Sequence, residues 1–168
     1  MNTTLDRPQI APASKGSLGF ELFQHAYLVG DLDASIATFK AHYGIEKFTP
    51  VPMPQMEGPT SMRIALAWSG GQMIELIEAR GPGLEIYTEW SIPGQDIRLH
   101  HFGYLIENDA QWAALEEKLE AEGKPQVFYG APSICKFIYV FAKELGHYLE
   151  FVYPTAEGKA FFESVAAC

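Results

Sequence analysis

In 168 residues the chain carries 21 acidic and 12 basic side chains, a net charge of −9, with no cluster of cations to meet nucleic-acid phosphates. A hydrophobic share of 48% is that of a globular protein with a core, and no apolar run approaches the length of a membrane span. Residues 1–19 hold Asp6 and no apolar stretch, unlike a secretory signal; Cys135 and Cys168 are too few for a disulfide framework and read as reduced thiols of a cytoplasmic protein.

In chain order, a polar, Pro-bearing N-terminal tail (1–19) precedes a strand over Leu22 to Val29. Asp31 is placed to cap a helix whose Leu32, Ile36, Phe39 and Tyr43 share one face, and Gly44 to end it. Pro50, Pro52, Pro54, Gly58 and Pro59 make the next stretch a loop. Met62 to Trp68 and Gln72 to Glu78 form a hairpin around Ser69-Gly70-Gly71. Residues 79–98, with Gly81, Pro82, Gly83, Pro93 and Gly94, read as a linker. A second strand then starts at about His101. Its helix begins near Asp109, turns Trp112, Leu115 and Leu119 to the core, and closes at Gly123. Phe137 to Ala142 and His147 to Tyr153 make the last hairpin, turning at 143–146.

This order is a repeat. Gln24-His25-Ala26-Tyr27-Leu28-Val29 opens one copy and His101-Phe102-Gly103-Tyr104-Leu105-Ile106 the other. Each copy ends, about fifty residues later, in an apolar strand with one carboxylate inside it: Met73-Ile74-Glu75-Leu76-Ile77 and Tyr148-Leu149-Glu150-Phe151-Val152. The expectation is an α+β fold of two tandem βαβββ modules, 20–78 and 99–154, with residues 155–168 as a C-terminal tail. Neither module alone covers its sheet, so the two form a curved mixed sheet, a half-barrel, around one cavity.

A metal-capable residue at the start and end of each copy predicts four ligands at one point. Buried carboxylates must be paired or metal-bound, and Glu75 and Glu150 sit in apolar strands. Strand alternation puts Gln24 opposite His101 and turns His25 toward the helix side with Phe102. Aligning the two helices instead puts His25 opposite His101. The ligand set is therefore Glu75, His101 and Glu150 with Gln24, or else His25. His100 and His147 fall on the alternate faces and read as structural or rim residues. Tyr148 shares the Glu150 face and is a pocket candidate. Arg63, in an otherwise apolar strand, is a candidate to hold an anionic substrate, beside the plainer reading of a surface salt bridge.

These stretches resemble the vicinal oxygen chelate superfamily, which includes glyoxalase I, methylmalonyl-CoA epimerase, extradiol dioxygenases and bleomycin resistance proteins. The resemblance covers about residues 20–154 and implies a divalent ion (Zn, Ni, Co, Mn or Fe) with two free positions for substrate oxygens. With Gln24 the set looks like that of eukaryotic-type glyoxalase I, and with His25 like the bacterial type. By the same resemblance Glu150 is the first candidate base and Glu75 the second. Leu28 and Ala79 stand where glyoxalase I carries its glutathione-site Arg and an Asn, so a glutathione-dependent glyoxalase I is not expected. The linker up to His100-His101 looks more like the epimerase branch.

The resemblance thus implies proton abstraction next to a carbonyl in a small-molecule substrate: an isomerase, epimerase or lyase, expected as a cytoplasmic homodimer. An extradiol dioxygenase, using His25, His101 and Glu150, and a non-catalytic binding or resistance protein are the alternatives.

Overall fold

The computed structural model describes residues 19–91, 94–123 and 133–168, and the backbone of 128–130. The expected N-terminal tail, except Gly19, and Pro93 of the linker lie outside the described residues.

The first half consists of β1 (Glu21–Val29), α1 (Leu32–Tyr43), β2 (Thr49–Pro50), β3 (Ser61–Ser69) and β4 (Gln72–Arg80). A short helix, α2 (Glu85–Thr88), lies in the connection. The second half repeats the pattern: β5 (Ile97–Leu105), α3 (Asp109–Ala121), β6 (Phe128–Gly130), β7 (Cys135–Ala142) and β8 (His147–Pro154), followed by α4 (Ala156–Ser164). The described strands form one open sheet in the order β2-β3-β4-β1-β5-β8-β7-β6. β4 runs parallel to β1, β8 parallel to β5, and the halves join through the antiparallel β1–β5 pair. This is the expected α+β architecture of two βαβββ units on one unclosed, curved sheet.

Local chemistry sets the boundaries. Asp31 caps α1 by accepting from the Ala34 N–H (2.9 Å), and Gly44 ends it at φ 71°, a left-handed conformation that costs glycine nothing. α3 is capped one residue earlier than Asp109, by Asn108, which accepts from the Gln111 N–H at 3.0 Å.

α1 and α3 cover one face of the sheet. Leu32 and Phe39 pack on Val29, Ala65, Ala67 and Leu76, while Trp112, Leu115 and Leu119 pack on Tyr104, Ile138, Val140, Leu149 and Phe151. Burying each such side chain stabilises the fold by roughly 1.5–3 kcal/mol. The strand residues between these, Glu75 and Glu150 among them, point to the other face.

On that other face the segment expected as a C-terminal tail is a docked helix. α4 inserts Phe161, Phe162 and Val165 against Phe23, Leu66, Met73 and Val152. Its end is tied down where Trp68 N–H donates to the Ala166 carbonyl (2.8 Å) and Cys168 N–H to the Trp68 carbonyl (2.9 Å). The connection after β4 does the equivalent at the opposite end of the face, where Leu84 and Tyr87 pack on Ala26, Leu28, Ile77 and Tyr139. No described helix is long and apolar enough to cross a membrane.

Candidate metal centre

The two central strands build the site by their register. On β1 Ala26 pairs with Glu75 of β4, and on β5 Gly103 pairs with Glu150 of β8. Between β1 and β5, Gln24 pairs with Gly103 and Ala26 with His101. His25 and Phe102 form the central pair, so Gln24 and His101 occupy equivalent places in the two halves, as do Glu75 and Glu150. Ala26 and Gly103 leave room between them for the larger side chains. A Cβ on Gly103 would lie 2.5 Å from Gln24 Oε1 and 2.8 Å from its Cβ, so the Gln24 side chain lies directly over Gly103, the strand neighbour of Glu150.

His101 Nε2 lies 3.0 Å from Glu150 Oε2 and 3.3 Å from Glu75 Oε2. One donor atom from each of the three falls within 4.8 Å of the others. His101 is fully buried, and Glu75, Glu150 and Gln24 are 8%, 7% and 4% exposed. Burial favours neutral His101, but Glu150 and Glu75 outweigh it and hold its pKa up at about 9. Burial pushes the Glu75 carboxyl above its ordinary range, against the pull of His101. Gln24 Oε1, Glu75 Oε2 and His101 Nε2 are all buried without a hydrogen-bond partner; the two His101 ion-pair approaches lack hydrogen-bond alignment. Each unsatisfied buried polar atom costs about 1–3 kcal/mol. A cation held among these atoms would satisfy all three. Carboxylate and amide oxygens with one imidazole nitrogen suit a divalent ion of hard or borderline character.

His100 departs from strict alternation. A β-bulge between Ala26 and Tyr27 leaves it without a partner on β1, because Tyr27 pairs with Leu99. The ring therefore reaches His101 instead of taking the alternate face, with the two Nδ1 atoms 2.9 Å apart. His100 Nε2 lies 2.9 Å from the Ile86 carbonyl of α2. Burial, with the neighbouring His101 charge, lowers the His100 pKa to about 3, so the ring is neutral. Tyr87, Trp90, Tyr139 and Tyr148 surround it, Tyr148 closest with ring centroids 4.9 Å apart. The expectation that His100 takes the alternate face, at the rim, is corrected by this contact; a structural role agrees with its full burial.

The other sequence candidates separate cleanly. His25 pairs with Ile74 and Phe102 on the helix side of the sheet, its ring 5.1 Å from that of Phe102. Tyr148 shares the face of Glu150, half-buried in the aromatic wall around His100. Arg63 is not brought to the cluster. It pairs with Glu78 across the β3–β4 ladder on the helix side and binds Asp33 of α1 (2.9 Å) and Glu78 (3.3 Å). Tyr139, opposite Glu150 and almost fully buried with its ring 5.0 Å from His101, was not singled out from sequence. The turn at 143–146 fixes that pairing, so counting back along the hairpin would have found it. His100 had no such signal.

No family model matches the sequence, and no curated protein matches it significantly. Solved structures do match. Methylmalonyl-CoA epimerase from Mycobacterium tuberculosis superposes with a TM-score of 0.57 at 17% identity, over 83% of this chain and 91% of that one. A methylmalonyl-CoA epimerase in complex with methylmalonyl-CoA and NH4+ gives 0.57 at 17% identity, over 82% and 96%. A hypothetical protein from Bacillus halodurans gives 0.58 at 12% identity, over 80% and 94%. The chain has the vicinal oxygen chelate fold of these neighbours.

Proposed function

We propose that this protein is a divalent-metal-dependent enzyme of the isomerase or epimerase type. It takes a small substrate with two neighbouring oxygens and removes a proton from the carbon beside a carbonyl. The observation that carries this reading is the buried Glu75–His101–Glu150 cluster with the unpartnered Gln24 oxygen beside it. Glu75, His101, Glu150 and Gln24 would hold the ion. A bound divalent ion supplies Lewis-acid polarisation of the substrate oxygens.

The chain's own residues supply the rest. Glu150 is the base, receiving the proton on a carboxylate oxygen, and Glu75 is its counterpart in the other half. Tyr139, packed over His101, and the aromatic wall with Tyr148 keep water from the reacting carbon. The epimerase neighbours support an isomerase-type reaction over a lyase step. The ring-cleaving dioxygenase alternative needs His25 as a ligand, and His25 packs against Phe102 on the opposite face. Apolar side chains of the chain itself occupy both ends of the concave face, which suits a compact substrate.

The test is deuterium exchange at the α-carbon of 2-oxo and acyl compounds, with metal content measured on protein purified without added metal. One divalent ion per chain is expected, and His101→Ala should lose it. Glu150→Gln should keep the ion, because an amide oxygen still coordinates, while exchange falls by roughly 10²–10⁴-fold. Full occupancy in His101→Ala overturns the site; undiminished exchange in both Glu150→Gln and Glu75→Gln overturns the mechanism.

A further inference from the structure

We propose that His100 is a positioning residue that fixes the tautomer of His101 and ties metal affinity to the seating of α2. The inference rests on the reading of His101 as a metal ligand. It starts from two distances: Nδ1 to Nδ1 between the two histidines, 2.9 Å, and His100 Nε2 to the Ile86 carbonyl oxygen, also 2.9 Å. A carbonyl oxygen only accepts, so the hydrogen in the second contact belongs to His100 Nε2. A neutral His100 then presents a bare lone pair at Nδ1. The hydrogen between the rings therefore sits on His101 Nδ1, which leaves His101 Nε2 as the nitrogen that faces Glu75 and Glu150 and that binds an ion once the ion displaces its proton. This is the tautomer a metal requires.

The reverse arrangement, with His100 donating from both nitrogens, would put a cation in a fully buried site walled by Tyr87, Trp90, Tyr139 and Tyr148, with no carboxylate of the described residues paired to it. Ligating imidazoles elsewhere are oriented by a carboxylate, a carbonyl or water on the second nitrogen. Here a second imidazole stands between the ligand and the carbonyl, and that carbonyl belongs to α2.

The molecule contains its own control. The β1–β5 pairing has two bulges, one at His100 and one at Phe23, which is skipped between the Leu22–Tyr104 and Gln24–Gly103 pairs. The two halves thus place Phe23 before Gln24 and His100 before His101. Gln24 needs no tautomer fixed, and its bulge residue has no hydrogen-bonding atom. His101 does, and its bulge residue carries an acceptor at 2.9 Å.

Two variants test this. His100→Phe makes the second bulge chemically like the first, keeping an aromatic ring and removing the acceptor. His100→Asn restores an acceptor oxygen near the Nδ1 position. Zinc affinity is measured by competition with a chelator, and the His101 ring nitrogens are followed by ¹H–¹⁵N NMR of the zinc-loaded protein. His100→Phe should weaken zinc binding by about 10- to 100-fold, the range for removing the partner of a ligating histidine. His100→Asn should recover part of that loss, because it restores the acceptor but not the tie to Ile86, and the His101 Nδ1–H resonance should persist against solvent exchange in wild type and His100→Asn but not in His100→Phe. A folded His100→Phe protein with wild-type zinc affinity, or a wild-type spectrum with the hydrogen on His101 Nε2, overturns the proposal while leaving the metal site intact. Failure of wild type itself to bind zinc or any other divalent ion overturns the site and this inference together. If His100→Phe does not fold, the spectrum of the wild-type protein decides: the hydrogen on His101 Nδ1 upholds the proposal, and the hydrogen on Nε2 refutes it.

Discussion

Gly103→Ala probes whether Gln24 belongs to the metal site without touching a single donor atom. Gly103 lies in an ordinary extended strand, so the substitution brings no backbone strain, and only space matters. The added Cβ would sit 2.5 Å from Gln24 Oε1 and 2.8 Å from Gln24 Cβ. The oxygen can swing aside by a change of rotamer, but the Cβ is fixed to β1, so that second contact is relieved only by β1 and β5 moving apart. Overpacking a filled interior costs about 1–3 kcal/mol. In the metal-free protein a change of rotamer removes the oxygen contact, while the Cβ contact lowers stability with or without the ion. If the ion requires Gln24 where it now lies, the oxygen contact opposes metal binding as well. At 1.4 kcal/mol per tenfold, zinc or cobalt affinity should fall, by up to roughly 150-fold, and the metal-free melting temperature should fall as well. Chelator competition gives the affinity and circular dichroism the melting temperature. In a Gln24→Ala background Gly103→Ala should cost little further metal affinity, because the oxygen it displaces is already gone, while its effect on the melting temperature remains, because Ala keeps the Cβ. Unchanged affinity in folded Gly103→Ala, or an undiminished loss on top of Gln24→Ala, refutes the assignment of Gln24.

Two further substitutions read other parts of the fold. His25→Phe should leave metal affinity within about twofold of wild type, since His25 packs edge-on against Phe102 on the far side of the sheet and Phe is the residue its counterpart carries; a tenfold loss would restore His25 as the ligand. Gly158→Ala should lower the melting temperature by at least about 2 °C, although alanine ordinarily stabilises a helix over glycine, because the new Cβ would run into the Ile134 carbonyl oxygen and lift the first turn of α4 off the segment that leads into β7; a rise on heating scans would show α4 to be loosely docked.

The repeat was legible because each half spends its polar residues in the same two places, and because side chains alternate along a strand. Those two regularities place Gln24 and His101 at equivalent positions and turn His25 to the other side, as the β1–β5 register has it. His100 was illegible for the same reason. Alternation assumes an unbroken ladder, and the bulge that swings His100 toward His101 arises from how β1 and β5 meet, which no local pattern encodes. Arg63 stood out as a charge in an apolar strand, but its meaning lay in Asp33, thirty positions earlier on another element. α4 was missed because Ala156–Ser164 holds Gly158 and only two large apolar side chains, Phe161 and Phe162. Its helix is stabilised by what it covers, not by its own periodicity.

α2 and α4 are equivalent in position along the chain, and the equivalence explains an asymmetry of the site. Each follows the last strand of its half and closes one end of the concave face. α4 covers the end where the bulge residue is Phe23, and its contact there is apolar, with Phe162 against Phe23 at 6.2 Å between centroids. α2 covers the end where the bulge residue is His100, and its contact there is a backbone carbonyl accepting a hydrogen bond. An apolar lid can slide or repack with small loss, whereas a single carbonyl must stay within hydrogen-bond reach of one nitrogen. The half that supplies an imidazole to the cluster is therefore the half whose covering segment is held by direction as well as by burial. Affinity for the ion should follow disturbances of α2 more closely than disturbances of α4.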